Sequence, residues 1–222
     1  MGAAPIQNIG AYGVEIKDRF HSLVAMDIRT CELVTYTAEQ CRFDYRDSVF
    51  KGADRNRFVI VSVTFVLDSH FVPQLDYGHL RNAVAAEAAE QPITAQLVSA
   101  VVCRIRSEKL PDPAVVGNAG SFFKNPLIDD AHHQKLLTEV PDLVAYPSGA
   151  QWKLAAGWLI ERCGFKGVTR ESGAGVYPLQ ALVLVNNGGA TGSDILGLAK
   201  EIQEAVCQRF GVELEIEPQI YP

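Results

Sequence analysis

Ten consecutive residues, Gly117-Asn-Ala-Gly-Ser121-Phe-Phe-Lys124-Asn125-Pro126, put a hydroxyl, an ammonium and an amide close together on a glycine-rich backbone. A chain this flexible, entered from Pro111-Asp-Pro113, can bring Ser121 against a reacting atom, and loops of such composition often carry function. The same residues also suit a tight turn in which Ser121 caps and the two phenylalanines anchor the segment in a core. A serine-hydrolase elbow is excluded, because Gly-x-Ser-x-Gly is absent here and no histidine flanks the serine.

A second cluster, Cys41-Arg-Phe-Asp-Tyr45-Arg46-Asp-Ser48, offers guanidinium forks that suit a carboxylate or a phosphate, or an ordinary surface ion-pair network. Arg104, Arg106 and Lys109 fall where a helix ends, a place that favours cations without any ligand. Asn186-Asn-Gly-Gly-Ala-Thr-Gly-Ser193 precedes a helix but lacks the Gly-Lys-Ser/Thr ending of a phosphate loop, so it reads as a turn capped by Thr191 or Ser193. His132 and His133 are adjacent, point different ways on a helix, and make a solvated face rather than a metal pair; no metal site is expected. Trp152 and Trp158 read as core packing.

The elements that must position these groups follow from periodicity. Residues 22–28 and 32–37 suit a β-hairpin, and Phe58 to Leu67 is a strand rich in β-branched residues, so the first hundred residues look sheet-forming. From Thr94, a candidate cap, Leu97, Val98, Val101, Val102 and Ile105 repeat at helical spacing until Pro111. A domain boundary is placed near residue 110. Beyond it the pattern predicts helices over 129–140 and 153–163, a strand over 181–185 and an amphipathic helix over 193–210. Strand-like Val212 to Ile216 is expected to return to the first unit's sheet.

Composition bounds the rest. With 222 residues, 48% hydrophobic and 21% charged, the chain can build a sizeable core. A net charge of −6 gives no basic field for nucleic acid or an anionic membrane surface. The five cysteines form no C-x-x-C pair and read as free thiols of a reducing cytoplasm, and no apolar run reaches the length of a membrane span.

These segments, in this order, resemble the UDP-N-acetylenolpyruvoylglucosamine reductase family. The resemblance rests on Pro5-Ile-Gln-Asn-Ile-Gly-Ala-Tyr-Gly13, Cys41 to Ser48, Lys109-Leu-Pro-Asp-Pro113, Gly117 to Pro126, Lys153-Leu-Ala-Ala-Gly-Trp-Leu-Ile160, Gln180-Ala-Leu-Val-Leu-Val185 and Glu217-Pro218. It implies an α+β chain: a partial FAD-binding domain of the vanillyl-alcohol-oxidase-like kind over 1–110, rejoined by 211–222, and an α/β substrate-binding domain over 111–210. It implies bound FAD, NADPH as reductant, and reduction of the enolpyruvyl group of UDP-N-acetylglucosamine enolpyruvate in peptidoglycan synthesis. Ser121, Arg46 and Glu217 match the family's catalytic residues. Tyr77, Lys109, Asn125, Tyr146, Lys153, Lys166 and Gln180 match contacts to the UDP-sugar, with Tyr45 on the wall facing nicotinamide and substrate. Gln7, Asn8, Ile9, Gly10, Ala11 and Gly13 match the flavin-binding run.

Two departures qualify the match. Many members carry an arginine shortly after Glu217, where this chain has Gln219-Ile-Tyr-Pro222. Family members also begin with a flavin-binding portion holding a Gly-Ser-Asn loop for the FAD diphosphate, and Met1 stands where an internal residue is expected. The chain is then expected to be a shortened form, whose alternative function is to bind a UDP-sugar without catalysis, alone or with a separately encoded flavin-binding half.

Overall fold

The computed structural model describes residues 2–221, and the chain falls into two units that divide between Arg104 and Ile105. The first opens with α1 (Ala3–Ile6) and a hairpin of short strands, β1 (Gly10–Ala11) and β2 (Val14–Glu15). Its turn residues, Tyr12 and Gly13, both lie in the left-handed region at φ 54° and 79°, the geometry that matches the natural twist of paired strands.

A three-stranded antiparallel sheet follows, with β3 (Phe20–Asp27) between β4 (Leu33–Thr37) and β5 (Phe58–Phe65), as the hairpin reading predicts. Alternation along β3 turns Leu23 and Ala25 inward, where they pack with Phe20, Tyr36, Cys41 and Phe50. Cys41 ends the short helix α2 (Ala38–Cys41), which Thr37 and Gln40 cap reciprocally, and burial pushes its thiol up to about 12, leaving it unreactive at neutral pH. The unit is not purely sheet-forming: α3 (Leu80–Ala88) buries Leu80, Val84 and Ala88 along one stripe. The expected helix α4 (Ala95–Lys109) forms, with the Thr94 hydroxyl accepting from the Leu97 amide at 3.2 Å.

In the second unit, β6 (Gly117–Ser121), β7 (Leu127–Ile128), α5 (Asp130–Glu139), β8 (Ala145–Ser148) and β9 (Gln151–Leu154) are followed by α6 (Ala156–Arg162), β10 (Ala174–Val176), β11 (Val183–Asn186) and α7 (Gly192–Phe210). Two three-stranded antiparallel sheets result, ordered β10-β11-β6 and β7-β9-β8. Leu159, Ile160, Ala199, Ile202 and Val206 are fully buried in the core that α6 and α7 build over them. Thr191 is the cap of α7, its hydroxyl taking the Asp194 amide at 3.2 Å while the Asp194 carboxylate takes the Thr191 amide at 2.8 Å. Asn186 closes the preceding glycine turn through the amides of Gly188 and Ala190, so that segment is the turn its composition suggests.

Several expectations are corrected. Gly117 to Ser121 is a strand, held by β11, rather than a loop. Residues 151–154 are a strand, so the helix expected from Lys153 starts only at Ala156. The unit boundary lies at 104/105 rather than 110. The tail does not rejoin the first unit: Ile216 bridges Phe123, inside the second. His133 is 4% exposed and stacks on Trp152 at 3.9 Å between ring centres, because α5 turns that face onto β9; it is not on a solvated face. Of the five cysteines, Cys41 is buried and Cys163 half-buried, whereas Cys31, Cys103 and Cys207 are exposed.

Asp27 is a charge buried where β3 ends. Its carboxylate accepts the Arg29 amide at 2.9 Å and the Arg57 Nε at 2.9 Å, and the Arg29 amide first, then Arg57, hold its carboxyl below the usual carboxylate range against the opposing effect of burial. A depressed folded-state value means that the stabilisation is complete above the unfolded-state value of about 4 and is lost as pH falls through the folded-state value. We expect Asp27→Asn to flatten the acid limb: the difference in urea midpoint between pH 7 and pH 3 should be smaller in the variant than in the natural chain.

Candidate active site

Ser121 ends β6 opposite Val183 of β11. The strand continues past it with a neighbour on each side: the Phe122 amide donates to Leu182 at 2.7 Å, the Lys124 amide to Glu215 at 2.9 Å, and the Glu217 amide to the carbonyl of Phe122 at 2.9 Å. Phe122 and Phe123 are 5% and 1% exposed, so the backbone between Ser121 and Lys124 is covered as well as paired. This ladder brings Ser121 and Glu217 onto neighbouring chain segments at one end of the sheet. It brings backbone segments ninety-six residues apart in sequence next to each other, with the Glu217 amide bonded to the carbonyl of the residue that follows Ser121. The Lys124 ammonium, mostly buried, meets Glu215 at 2.6 Å beside them.

Asn125 and Gln180 converge on the start of α6. The Asn125 carbonyl oxygen accepts the amide of Ala156 at 2.9 Å, satisfying one of the donors that a helix start leaves unpaired. The Gln180 Oε1 comes within 2.9 Å of where a Cβ on Gly157 would stand, which places the end of that side chain at the start of α6. Tyr146 and Lys153 face each other across β8 and β9, with Leu127 opposite Lys153 on the other side, and residues paired in this way share one face of the sheet. Tyr146 is 58% exposed there. Lys109 ends α4 and is exposed. Lys166 is turned to Glu161, 3.0 Å from each carboxylate oxygen, an exposed pair that holds it weakly.

In the first unit, Tyr45 and Arg46 form the tip of a tight hairpin in which Asp44 and Asp47 exchange both backbone hydrogen bonds at 3.1 Å. Arg46 lies in the left-handed region at φ 53°, with its guanidinium 5.2 Å from the centre of the Tyr45 ring. Arg46 Nη2 donates to the carbonyl of Gly10 at 2.6 Å and Nη1 lies 3.8 Å from Glu15 Oε1. This brings Arg46 onto the run 7–13. Tyr77 reaches the same hairpin, edge-on to Tyr12 at 5.4 Å. Asn8 is fully buried, and its amide donates to Glu15 Oε2 and to the Asp44 carbonyl, each at 2.9 Å, while its oxygen accepts the Lys17 amide at 3.1 Å. Both amide hydrogens and one lone pair of the oxygen are thereby used in holding the hairpin. Gly10 is required by packing, since a Cβ would lie 2.7 Å from the Glu15 side chain. Ile9, Ala11 and Gly13 are exposed beside Gln7, which is half-buried.

Sequence reasoning missed Glu15 and left Lys124 without a partner. The one signal for Glu15 was an acidic residue two positions after Gly13; for Lys124 none exists, because Glu215 is remote in sequence. Among the described residues no group of three His, Cys, Asp or Glu side chains could hold a metal ion, and no helix is long and apolar enough to cross a membrane.

A family model for the C-terminal domain of UDP-N-acetylenolpyruvoylglucosamine reductase matches residues 112–221. Reductases of that name from Pseudomonas fluorescens and Ralstonia nicotianae are 56% and 54% identical over 223 residues, covering 100% and 99% of this chain. The chain spans 65% and 64% of their respective lengths. The crystal structure of UDP-N-acetylenolpyruvylglucosamine reductase from Thermus caldophilus superposes with a TM-score of 0.61 over the whole chain and 60% of its own, at 21% identity, which establishes likeness of fold.

Because Asn125 supplies a partner for the first amide of α6, Asn125→Ala should cost about 1 kcal/mol. Thermal unfolding is the check: a fall of roughly 2–4 °C in Tm is expected for a chain of this size. An unchanged Tm would mean that solvent replaces the side chain there.

Proposed function

The chain belongs to the UDP-N-acetylenolpyruvoylglucosamine reductase family, and from that premise we propose that it serves the reduction of UDP-N-acetylglucosamine enolpyruvate to UDP-N-acetylmuramate in peptidoglycan synthesis. The observation that supports the reading is the backbone ladder in which the tail segment 215–217 pairs with the strand that continues from Ser121. Hydride addition to the terminal vinyl carbon sends the π electrons toward the neighbouring carbon and its carboxylate, and a proton on that neighbouring carbon completes the lactyl ether. A reductase for this reaction therefore needs a cation for the growing carboxylate charge and a proton source for the carbon.

Arg46 supplies the cation, in a fork suited to a carboxylate. Glu217 shares a proton with the developing enolate, and Ser121 gives its hydroxyl proton to the carbon and regains one from solvent. Asn125, Gln180, Lys153 and Tyr146 bind the UDP-sugar, with Lys109, Lys166, Tyr77 and Tyr45 as further contacts, and the lysines answer the diphosphate charge. FAD, when bound, supplies the hydride that it receives from NADPH. The exposed, uncharged edge formed by Ile9, which is 47% exposed, Ala11 and Gly13 suits a planar apolar ring, so the run Gln7, Asn8, Ile9, Gly10, Ala11 and Gly13 would hold it.

A second reading is a chain that binds a UDP-sugar without catalysis, alone or with a separately encoded flavin-binding half. A flavin titration separates the two. Saturable binding of FAD is expected, followed by bleaching on anaerobic addition of NADPH. In Ser121→Ala the bleaching rate should be unchanged while turnover of the enolpyruvyl substrate falls by about 10²–10⁴-fold. Retained binding of the UDP-sugar with no uptake of FAD would leave the second reading standing.

A further inference from the structure

We propose that Glu15 is a positioning residue for Arg46, and that Asn8 holds Glu15 in place; the inference rests on the role given to Arg46 above. An arginine side chain has many rotamers of similar energy, and ordering it at the moment of binding weakens a complex by the entropy lost. Arg46 is ordered beforehand. Its backbone stands at φ 53°, outside the region most side chains prefer, because the Asp44–Asp47 hairpin fixes it there. Its side chain is 18% exposed, with one nitrogen on the Gly10 carbonyl and another 3.8 Å from Glu15.

Glu15 is itself fixed from the opposite side. Its second oxygen accepts from Asn8 Nδ2 at 2.9 Å and lies 3.0 Å from the Lys17 ammonium. Asn8 spends its other amide hydrogen on the Asp44 carbonyl, so one buried side chain ties the segment carrying Glu15 to the hairpin carrying Arg46. A mutation that merely loosened this unit would weaken every ligand alike. Loss of a positioning contact should act on the carboxylate that Arg46 meets and spare the rest of the ligand.

The test uses the whole ¹⁵N-labelled chain with two readouts. The first is the order parameter of the Arg46 Nε–H, identified by its disappearance in Arg46→Lys. It is expected to fall from the range of rigid groups, about 0.85, to below about 0.6 in Glu15→Gln. The second compares UDP-N-acetylglucosamine with its enolpyruvyl ether, which alone carries the carboxylate. In Glu15→Gln the preference for the enolpyruvyl ligand should shrink about tenfold, equivalent to roughly 1.4 kcal/mol, with the Kd of UDP-N-acetylglucosamine unchanged. An unaltered order parameter, or equal weakening of both ligands with a lowered Tm, overturns the proposal. If the natural chain binds neither ligand, the functional reading fails, and the order parameter still decides the role of Glu15. Should Glu15→Gln not fold, Glu15→Asp takes its place: withdrawing the carboxylate by one methylene breaks the 3.8 Å approach, so a wild-type order parameter there also overturns the proposal.

Discussion

The strand through residues 121–124 is paired on both sides, with Ser121 opposite Val183 and the Phe122 amide on Leu182 at one edge, and the Phe122 carbonyl and Lys124 amide on Glu217 and Glu215 at the other. Phe122 and Phe123 pack edge-on at 5.5 Å, both buried. Unpaired backbone groups in such a place would cost more than any side chain could restore, so the tail has to lie alongside this strand. That requirement fixes Glu217. It also explains why a serine in glycine-rich sequence is held on a rigid element, where a reacting group is placed with more certainty than on a loop. The Asn125 contact to α6 extends the same frame from the end of a strand whose sequence looks flexible.

The first unit solves its problem with buried polar side chains. Asn8, Ser48 and Asp27 lie inside, and each is engaged: Ser48 donates to the Ile6 carbonyl at 2.5 Å and accepts from the Phe50 amide at 3.3 Å. A satisfied buried polar group specifies one backbone arrangement, because any other would leave it unpaired in a medium of low dielectric constant. Asn8 and Ser48 both tie residues 6–8 to the stretch 44–50, so the two segments that bracket Arg46 cannot drift apart without breaking bonds at both. Among the described residues, His133 Nδ1 in the second unit is the buried polar side-chain atom left without a partner, while the face of its ring stacks on Trp152.

What the sequence made legible follows from length. Helices α4 and α7 span several turns, so their apolar period is repeated enough to read, and β3 and β5 have eight residues each. By contrast β7 has two residues and β8 and β9 have four, too few for a period to show, and a run such as Lys153-Leu-Ala-Ala-Gly-Trp-Leu-Ile160 passes for one helix when a strand ends at Leu154. The glycines of Gly117 to Ser121 signal a loop because glycine weakens an isolated strand; tertiary pairing with β11 overrides that preference. The motifs named candidate site residues through the family resemblance. They gave no notice of the supporting contacts, since Glu15 with Arg46 and Lys124 with Glu215 join residues far apart in sequence.

Charge places a further constraint on how such a chain would recognise an anionic ligand. At −6 overall its long-range field does not draw anions in, and beyond the Debye length of about 8 Å at physiological salt that field is largely screened. Recognition then has to come from cations already set in place at short range, where local geometry outweighs net charge. Lys153 on a central strand and Arg46 on a braced hairpin are set in this way, whereas Lys166, exposed and paired to Glu161, has to change partners before it can contribute. For an anionic ligand, cations held by backbone ladders and buried amides give more specificity than exposed lysines, whose attraction salt removes.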